Sequence, residues 1–206
     1  MTDTIERALR QAARALSPDP PPALDTAAAD AASLIDVAYA RHDTPVGTLV
    51  LAATRRGLVR VSYADDENDF EATLTQLASS VSPRVLAAPG RLDQTRRELD
   101  EYFAGARTRF ELPLDWRLTH GFGRRVLRST ARIPFGSVST YARVATEAGS
   151  PRGSRAAGNA LGANPLPIIV PCHRVLRAGG ALGGYTGGIE RKLTLLAIEG
   201  RTTPDG

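Results

Sequence analysis

Hydrophobic and polar positions change their spacing twice along this chain. Over residues 3–16, Ile5, Leu9, Ala12, Ala13 and Leu16 recur at helical intervals, with Asp3 placed as a cap. The run Ser17-Pro18-Asp19-Pro20-Pro21-Pro22 ends that pattern, because each proline fixes φ and removes a backbone donor. The alanine-rich stretch that follows carries no chemistry. Residues 1–33 therefore read as a peripheral, partly helical extension.

From Asp36 the period shortens to two. Val37, Tyr39 and Arg41 form one extended run, residues 47–53 a second, and residues 58–63 a third after the turn Thr54-Arg55-Arg56-Gly57. Loops this short join antiparallel neighbours, so a meander is expected. Residues 67–80 and 91–104 have helical spacing, and Gly105 supplies the left-handed residue beyond the second helix. In that helix Leu92, Leu99 and Phe103 make a narrow stripe suited to packing on the sheet. Phe110, Leu112 and Leu114 alternate with polar residues and Pro113 interrupts, which predicts an extended connector. Residues 34–117 are expected to form a small α/β domain with no active-site constellation of its own.

A helical period returns after His120. Phe122, Val126, Leu127, Thr130 and Ile133 share one face until Pro134 stops it. Residues 133–138 read as a turn that hands over to Ser139 or Thr140, either a good N-cap. Residues 141–148 then make a short helix, Gly149-Ser150-Pro151 a tight turn, and residues 152–163 a second helix. Such a pair is a helix-turn-helix. Its second member is built from small residues (Ser154, Ala156, Ala157, Gly158, Ala160), with Arg155 the long side chain among them. That surface suits close approach to a nucleic-acid groove; it equally suits a packed interior helix with one surface arginine. A glycine-dense segment, 179–188, leads into a last helix over 189–199 with Gly200 beyond it. Glycines there allow backbone groups to line a pocket.

Charge sharpens the division between the halves. Residues 1–119 hold 14 Arg and 18 acidic residues, whereas residues 120–206 hold 11 Arg, Lys192 and only 4 acidic residues. Coding bias explains arginine over lysine but not the scarcity of acids, so the second half is expected to face a polyanion. No apolar run approaches the roughly 18 residues of a membrane span, and the first twenty residues lack a secretory core. One cysteine excludes an internal disulfide, in keeping with a reducing cytoplasm. His42 and His120 stand alone, which leaves no ligand set for a zinc ion.

That cysteine is Cys172, directly followed by His173, one of three histidines. The apolar run Ile168-Ile169-Val170 delivers it, Pro171 stiffens the backbone before it, and Asn164-Pro165-Leu166-Pro167 forms an elbow upstream. A lone cysteine is often only a small buried hydrophobe. As a thiolate it is also a soft nucleophile, and near its ordinary pKa it requires a base. Adjacent side chains point apart, so Cys172 and His173 are suited to contact through a water.

Six blocks in order and spacing resemble the O6-alkylguanine-DNA alkyltransferases: Ile133-Pro134-Phe135-Gly136 with Thr140-Tyr141; Ser154-Arg155-Ala156-Ala157-Gly158; Asn164-Pro165; Pro171-Cys172-His173-Arg174-Val175; Gly184-Tyr185-Thr186-Gly187-Gly188; and Leu195-Leu196 with Glu199-Gly200. The likeness is strong over about 120–200 and looser over 37–117. It implies an α/β protein of two domains. The first, over 34–117, is an RNase H-like antiparallel sheet with helices. The second, over 118–206, is winged-helix-like, mostly helical, and carries the helix-turn-helix. It implies direct, stoichiometric transfer of the alkyl group from O6-alkylguanine, and in some members O4-alkylthymine, in duplex DNA to Cys172. No cofactor or metal takes part, and the protein is inactivated.

The residues match position by position. Cys172 is the acceptor, His173 the water-linked base, Glu199 its carboxylate partner, Tyr141 the acid near guanine N3 and the neighbouring phosphate, and Asn164 a hinge. Arg155 matches the finger that enters the minor groove and fills the place of the flipped base. Thr140, Ser154, Ala156 and Gly158 fall on the DNA-facing surface. Pro167, the Val175 backbone, Tyr185, Thr186 and Gly187 correspond to the guanine pocket. The resemblance further implies a monomer, with cooperative loading on DNA left open. Gly162-Ala163 replace a frequent basic residue, Leu127 a frequent Trp, and Leu193-Thr194 a frequent aromatic. Two other readings compete: a lesion binder of the alkyltransferase-like type, which lacks the cysteine, and a transcription regulator using the helix-turn-helix.

Overall fold

The computed structural model describes residues 34–201, so the extension over 1–33 and the last five residues lie outside the described residues. Strands β1 (Val37–Thr44), β2 (Gly47–Thr54) and β3 (Gly57–Tyr63) form the expected antiparallel meander, with Thr44 opposite Gly47 and Thr54 opposite Gly57 at the turns. Gly57 is required: its φ is +130°, and a Cβ there would lie 2.1 Å from the Pro113 carbonyl oxygen. That close approach lets the connector join the sheet, since Leu58 donates to Pro113 O and Asp115 to Leu58 O, each at 2.8 Å.

The sheet is mixed rather than purely antiparallel. A three-residue strand β4 (Val85–Ala87) pairs in parallel with β1, giving the order β3-β2-β1-β4. Three residues beside Pro83 are too short a run to show a period, so alternation alone does not reveal this strand.

β2 is covered on both faces. Val50 and Ala52 pack toward helix α1 (Glu67–Ser80) with Val37, Val59, Phe70 and Leu77. Leu49, Leu51 and Ala53 point the other way, as the two-residue pleat dictates, into the main core. Asp66 caps α1 by accepting from the Asp69 amide at 2.9 Å. Helix α2 (Asp93–Phe103) follows a single 3₁₀ turn, Pro89–Leu92, so the α-helix begins two residues later than its spacing predicts; Gly105, at φ +72°, closes it as expected. Leu92 and Leu99 are fully buried, but Phe103 is only half-buried. Tyr102 and Glu98 take the inner positions instead: Tyr102 donates to Glu199, which belongs to the second half of the chain, while Glu98 accepts from Gln94 and the Glu111 amide and pairs with Arg107 within its own half.

That second half comprises α3 (Gly121–Thr130), the short strand β5 (Ser139–Thr140), α4 (Tyr141–Glu147), α5 (Ser154–Gly162), β6 (Val175–Leu176) and α6 (Ile189–Ile198). Thr140 caps α4 through the Arg143 amide, at 3.2 Å. Gly153 precedes α5, which is two residues shorter at its start than the predicted helix. β5 and β6 pair in parallel, Ser139 with Val175, a contact between segments 36 apart in number that local pattern does not reveal.

One apolar core runs through both halves. Leu49, Leu51, Leu99 and Tyr102 share it with Val126, Val144, Leu161, Ile168, Val170, Cys172 and Leu195. Edge strand β3 is also tied across, with the Val61 amide donating to Pro165 O at 2.9 Å. The elbow before the cysteine is thereby fixed to the sheet.

Candidate active site

Cys172 opens a 3₁₀ turn, Cys172–Arg174, at the end of a strained bend. Ile168 has φ +73°, the sole positive φ outside glycine among the described residues, and its side chain is completely buried. A β-branched residue in that conformation persists only when its surroundings over-determine it. Asn164 does so: its Oδ1 accepts from the Leu166 amide at 3.0 Å, and its Nδ2 donates to Val170 O at 2.9 Å and to Cys172 Sγ at 3.1 Å.

The thiol is 5% exposed and lies on a cleft of about 690 Å³ with Tyr141, Ser154, Arg155, Gly158, Arg177, Tyr185 and Thr186 on its walls. Burial pushes the Cys172 thiol up to about 11; the Asn164 hydrogen bond, the Lys192 charge and the amides of Cys172 and His173 pull the other way. At neutral pH the resting sulfur is protonated.

Behind it, His173 Nε2 lies 2.9 Å from Glu199 Oε1, both side chains being fully buried. Burial pushes Glu199 upward, but hydrogen bonds from His173 and Arg174 outweigh it and hold the carboxyl at about 2. An ionised carboxylate only accepts, so Nε2 carries the hydrogen and Nδ1 is left with its lone pair. Nδ1 is buried and has no partner among the described residues. Burial also depresses the imidazole against the pull of Glu199, so the ring is neutral and able to take a proton.

Glu199 gathers more donors than the sequence suggests. Arg174 reaches it from Nε (2.9 Å to Oε2) and Nη2 (2.8 Å to Oε1), Tyr102 Oη donates to Oε1 at 2.8 Å, and the Gly136 amide lies 3.3 Å from Oε2. Arg174 also donates to Ile133 O at 2.5 Å, joining the turn before β5 to the same cluster.

The pocket side is closed by the glycine-dense segment. Tyr185 and Tyr63 have their hydroxyls 2.8 Å apart, and Thr186 donates to Gly162 O at 2.9 Å. Gly187 packs so closely that a Cβ would meet Tyr63 at 2.5 Å, and one on Gly183 would meet the Tyr141 hydroxyl at 2.1 Å. Lys192, the only lysine, is completely buried and donates to Val175 O at 2.8 Å; burial lowers it to about 8. Burial raises the Tyr141 phenol, opposed by the Arg177 charge.

The fold thus assembles Cys172, His173, Glu199, Asn164, Tyr141, Tyr185 and Thr186 around one locus. Arg155 and Ser154 stand on the rim at the start of α5, and Arg155 has no hydrogen bond or ion pair among the described residues. Ala156 is exposed on α5, and Thr140 is half-buried as the α4 cap; both lie outside the cleft lining. Pro167 and Val175 are buried behind it. Residues 34–117 show no active-site constellation of their own, but Tyr102 and Tyr63 reach the locus from that half, by bonding Glu199 and Tyr185. Arg174, Tyr102, Tyr63 and Lys192 had no assigned role in the sequence. Of these, Lys192 alone carries a signal, as one lysine among 25 arginines. No cluster of three or more His, Cys, Asp or Glu that could hold a metal is found among the described residues.

Two family models cover nearly the whole described chain: 6-O-methylguanine DNA methyltransferase, ribonuclease-like domain, over residues 37–116, and the DNA binding domain of the same family over 121–201. A methylated-DNA–protein-cysteine methyltransferase of Mycolicibacterium paratuberculosis is 40% identical over 168 residues, 82% of this chain and 95% of the relative. The constitutive enzyme of that name from Bacillus subtilis is 37% identical over 163 residues, 78% of this chain and 94% of the relative. The crystal structure of Mycobacterium tuberculosis OGT in complex with DNA superposes with TM-score 0.67 at 36% identity, covering 82% of this chain and 96% of that one.

Proposed function

The chain belongs to the 6-O-methylguanine DNA methyltransferase family, and on that premise we propose that Cys172 is the acceptor in direct, single-turnover repair of O6-alkylguanine in duplex DNA. As a methylated-DNA–protein-cysteine methyltransferase it acts on DNA and needs a nucleophile, a base and a proton donor for the leaving guanine. The observation that carries the reading is the pairing of the sole cysteine, on the floor of the cleft, with a buried His173–Glu199 couple whose free nitrogen is Nδ1.

In this reading the thiol proton passes through a bridging water to His173 Nδ1, and the imidazolium formed is stabilised by Glu199. The sulfur attacks the alkyl carbon; the S–C bond forms as the C–O6 bond breaks. Tyr141 donates a proton to guanine N3 as the base leaves. The phenolate regains its proton from the His173 imidazolium through water, and exchange with solvent moves the base proton from N3 to N1, which restores guanine. The product is a thioether, which offers no route back to a thiolate, so each molecule acts once.

The base must leave the stack at a cost of a few kcal/mol. Arg155, unpaired on the rim, enters the minor groove and takes its place, while Thr140, Ser154, Ala156 and Gly158 lie along the backbone. Pro167, Val175, Tyr185, Thr186 and Gly187 shape the guanine pocket, and Asn164 holds the hinge. The protein binds as a monomer in a cytoplasmic setting.

The test is the intact mass of the protein after incubation with duplex DNA carrying O6-methylguanine. One methyl per molecule, on Cys172 and absent in Cys172→Ala, is the expected result. Repeated turnover, or repair by the Cys172→Ala variant, overturns the reading.

A further inference from the structure

Glu199 is held from two directions. His173 and Arg174 ride on the same 3₁₀ turn as Cys172, so their bonds to the carboxylate move with that turn. Gly136 adds only a long amide contact of 3.3 Å. Tyr102 is different: it stands on α2, in the sheet-bearing half, and its hydroxyl reaches Glu199 Oε1 at 2.8 Å across 97 residues of chain.

The Tyr102 ring is itself immobilised. It is fully buried, with the rings of Phe103 and Phe110 at 5.3 Å and Phe135 at 6.0 Å between centroids. Burial and the adjacent Glu199 charge raise its phenol far above the ordinary value, so it stays a neutral donor at every working pH.

We infer that Tyr102 is a positioning residue for alkyl transfer, acting from the N-terminal half by fixing Glu199 Oε1 where it holds the hydrogen of His173 on Nε2. The inference rests on the assignment of His173 as the base. The Arg174 guanidinium supplies the charge that keeps Glu199 ionised, but it contacts both oxygens and leaves the carboxylate plane free to follow its own turn. The Tyr102 hydroxyl marks out one oxygen from a fixed point, which leaves His173 Nε2–H a single direction in which to donate and Nδ1 as the nitrogen with the lone pair. The sheet-bearing half thereby acts on a reaction none of its side chains touches.

The test uses the full-length protein and its Tyr102→Phe, Glu199→Gln and doubly substituted forms. Phenylalanine keeps the ring packing and removes only the donor. The measured quantities are the rate at which Cys172 gains the benzyl group of free O6-benzylguanine, which needs no DNA contact, and the ring ¹⁵N shifts of His173. Tyr102→Phe is expected to slow transfer by about tenfold, the size of one hydrogen bond in a barrier, and to shift His173 away from the Nε2–H form. In the Glu199→Gln background the same change is expected to cost less than about twofold, because the effect runs through that carboxylate. Replacing Tyr102 by 4-aminophenylalanine, which keeps a donor, is expected to restore much of the rate. Unchanged transfer with an unchanged His173 signal, or an equal loss in both backgrounds, overturns the inference. If the wild-type protein gains no benzyl group, the same rates are read from methyl arriving on Cys172 from duplex O6-methylguanine. If no methyl arrives either, the assignment of Cys172 as acceptor fails, and the His173 signal in Tyr102→Phe then decides the positioning role by itself.

Discussion

Asn164 Nδ2 lies 3.1 Å from Cys172 Sγ, and the same nitrogen donates to Val170 O at 2.9 Å. The side chain that spans the bend at Ile168 is also the one that solvates the sulfur. A strained backbone and a buried thiol are therefore held by one residue, and neither can relax without it.

Asn164→Ala removes this group from both tasks. The Leu166 amide and the Val170 carbonyl lose buried partners, which costs about 1–3 kcal/mol of stability. The bond to sulfur favours the thiolate, so its loss raises the Cys172 pKa further. Urea midpoints should fall, and the pH at which alkyl transfer reaches half its plateau should move upward. A downward shift in that pH would contradict the assignment.

Glu199→Gln tests the buried anion. It leaves the buried Arg174 without its charge partner, for which the expected loss is about 3–5 kcal/mol. The native carboxyl titrates at about 2 against an ordinary 4.5, so below about 4.5 the unfolded chain takes up a proton first and stability drops as pH falls toward 2. His173, whose folded pKa is also depressed, begins the same loss below about 6.5. In a series of urea melts against pH, the wild type should lose stability through the window below 4.5, and the Glu199→Gln variant should be flatter there.

Arg155→Ala separates base flipping from chemistry. The exposed guanidinium has no partner among the described residues and lies on the cleft rim, so its removal should leave the fold intact. Transfer from duplex O6-methylguanine should slow by more than about tenfold, while reaction with free O6-benzylguanine stays close to wild type. Equal losses would remove the flipping role. Duplex affinity should also fall steeply as salt rises, since phosphate contacts release counterions.

Gly183→Ala probes the pocket wall. The added Cβ would stand 2.1 Å from the Tyr141 hydroxyl and 2.7 Å from its ring, so the phenol must move. The expected outcome is a loss of about tenfold or more in transfer from free O6-benzylguanine, with a smaller effect on thermal stability. Wild-type rates in this variant would show that the Tyr141 position is unimportant.

Much of this molecule is written locally. The alternation of β1 to β3, the Asp66 and Thr140 caps, Gly105 and Gly200 beyond their helices, and the helix-turn-helix pair all follow from residues within a few positions of one another. The His173–Glu199 contact was not written locally; the resemblance supplied that long-range pairing, which periodicity and spacing lack. Strand β4 and the β5–β6 pair escaped, being too short to express a period and dependent on partners far along the chain.

By itself the sequence determined which residues can do chemistry: one sulfur, one histidine beside it, an acidic residue ending the last helix, and an arginine among small neighbours. Only the tertiary structure decided that Tyr102 and Tyr63 belong to that group, that Arg174 turns inward to Glu199, and that a single core joins the two halves. The reason is physical. Helical and strand periods are set by neighbours along the chain, whereas the partner of a buried polar group is chosen by which distant surface closes over it and must satisfy it.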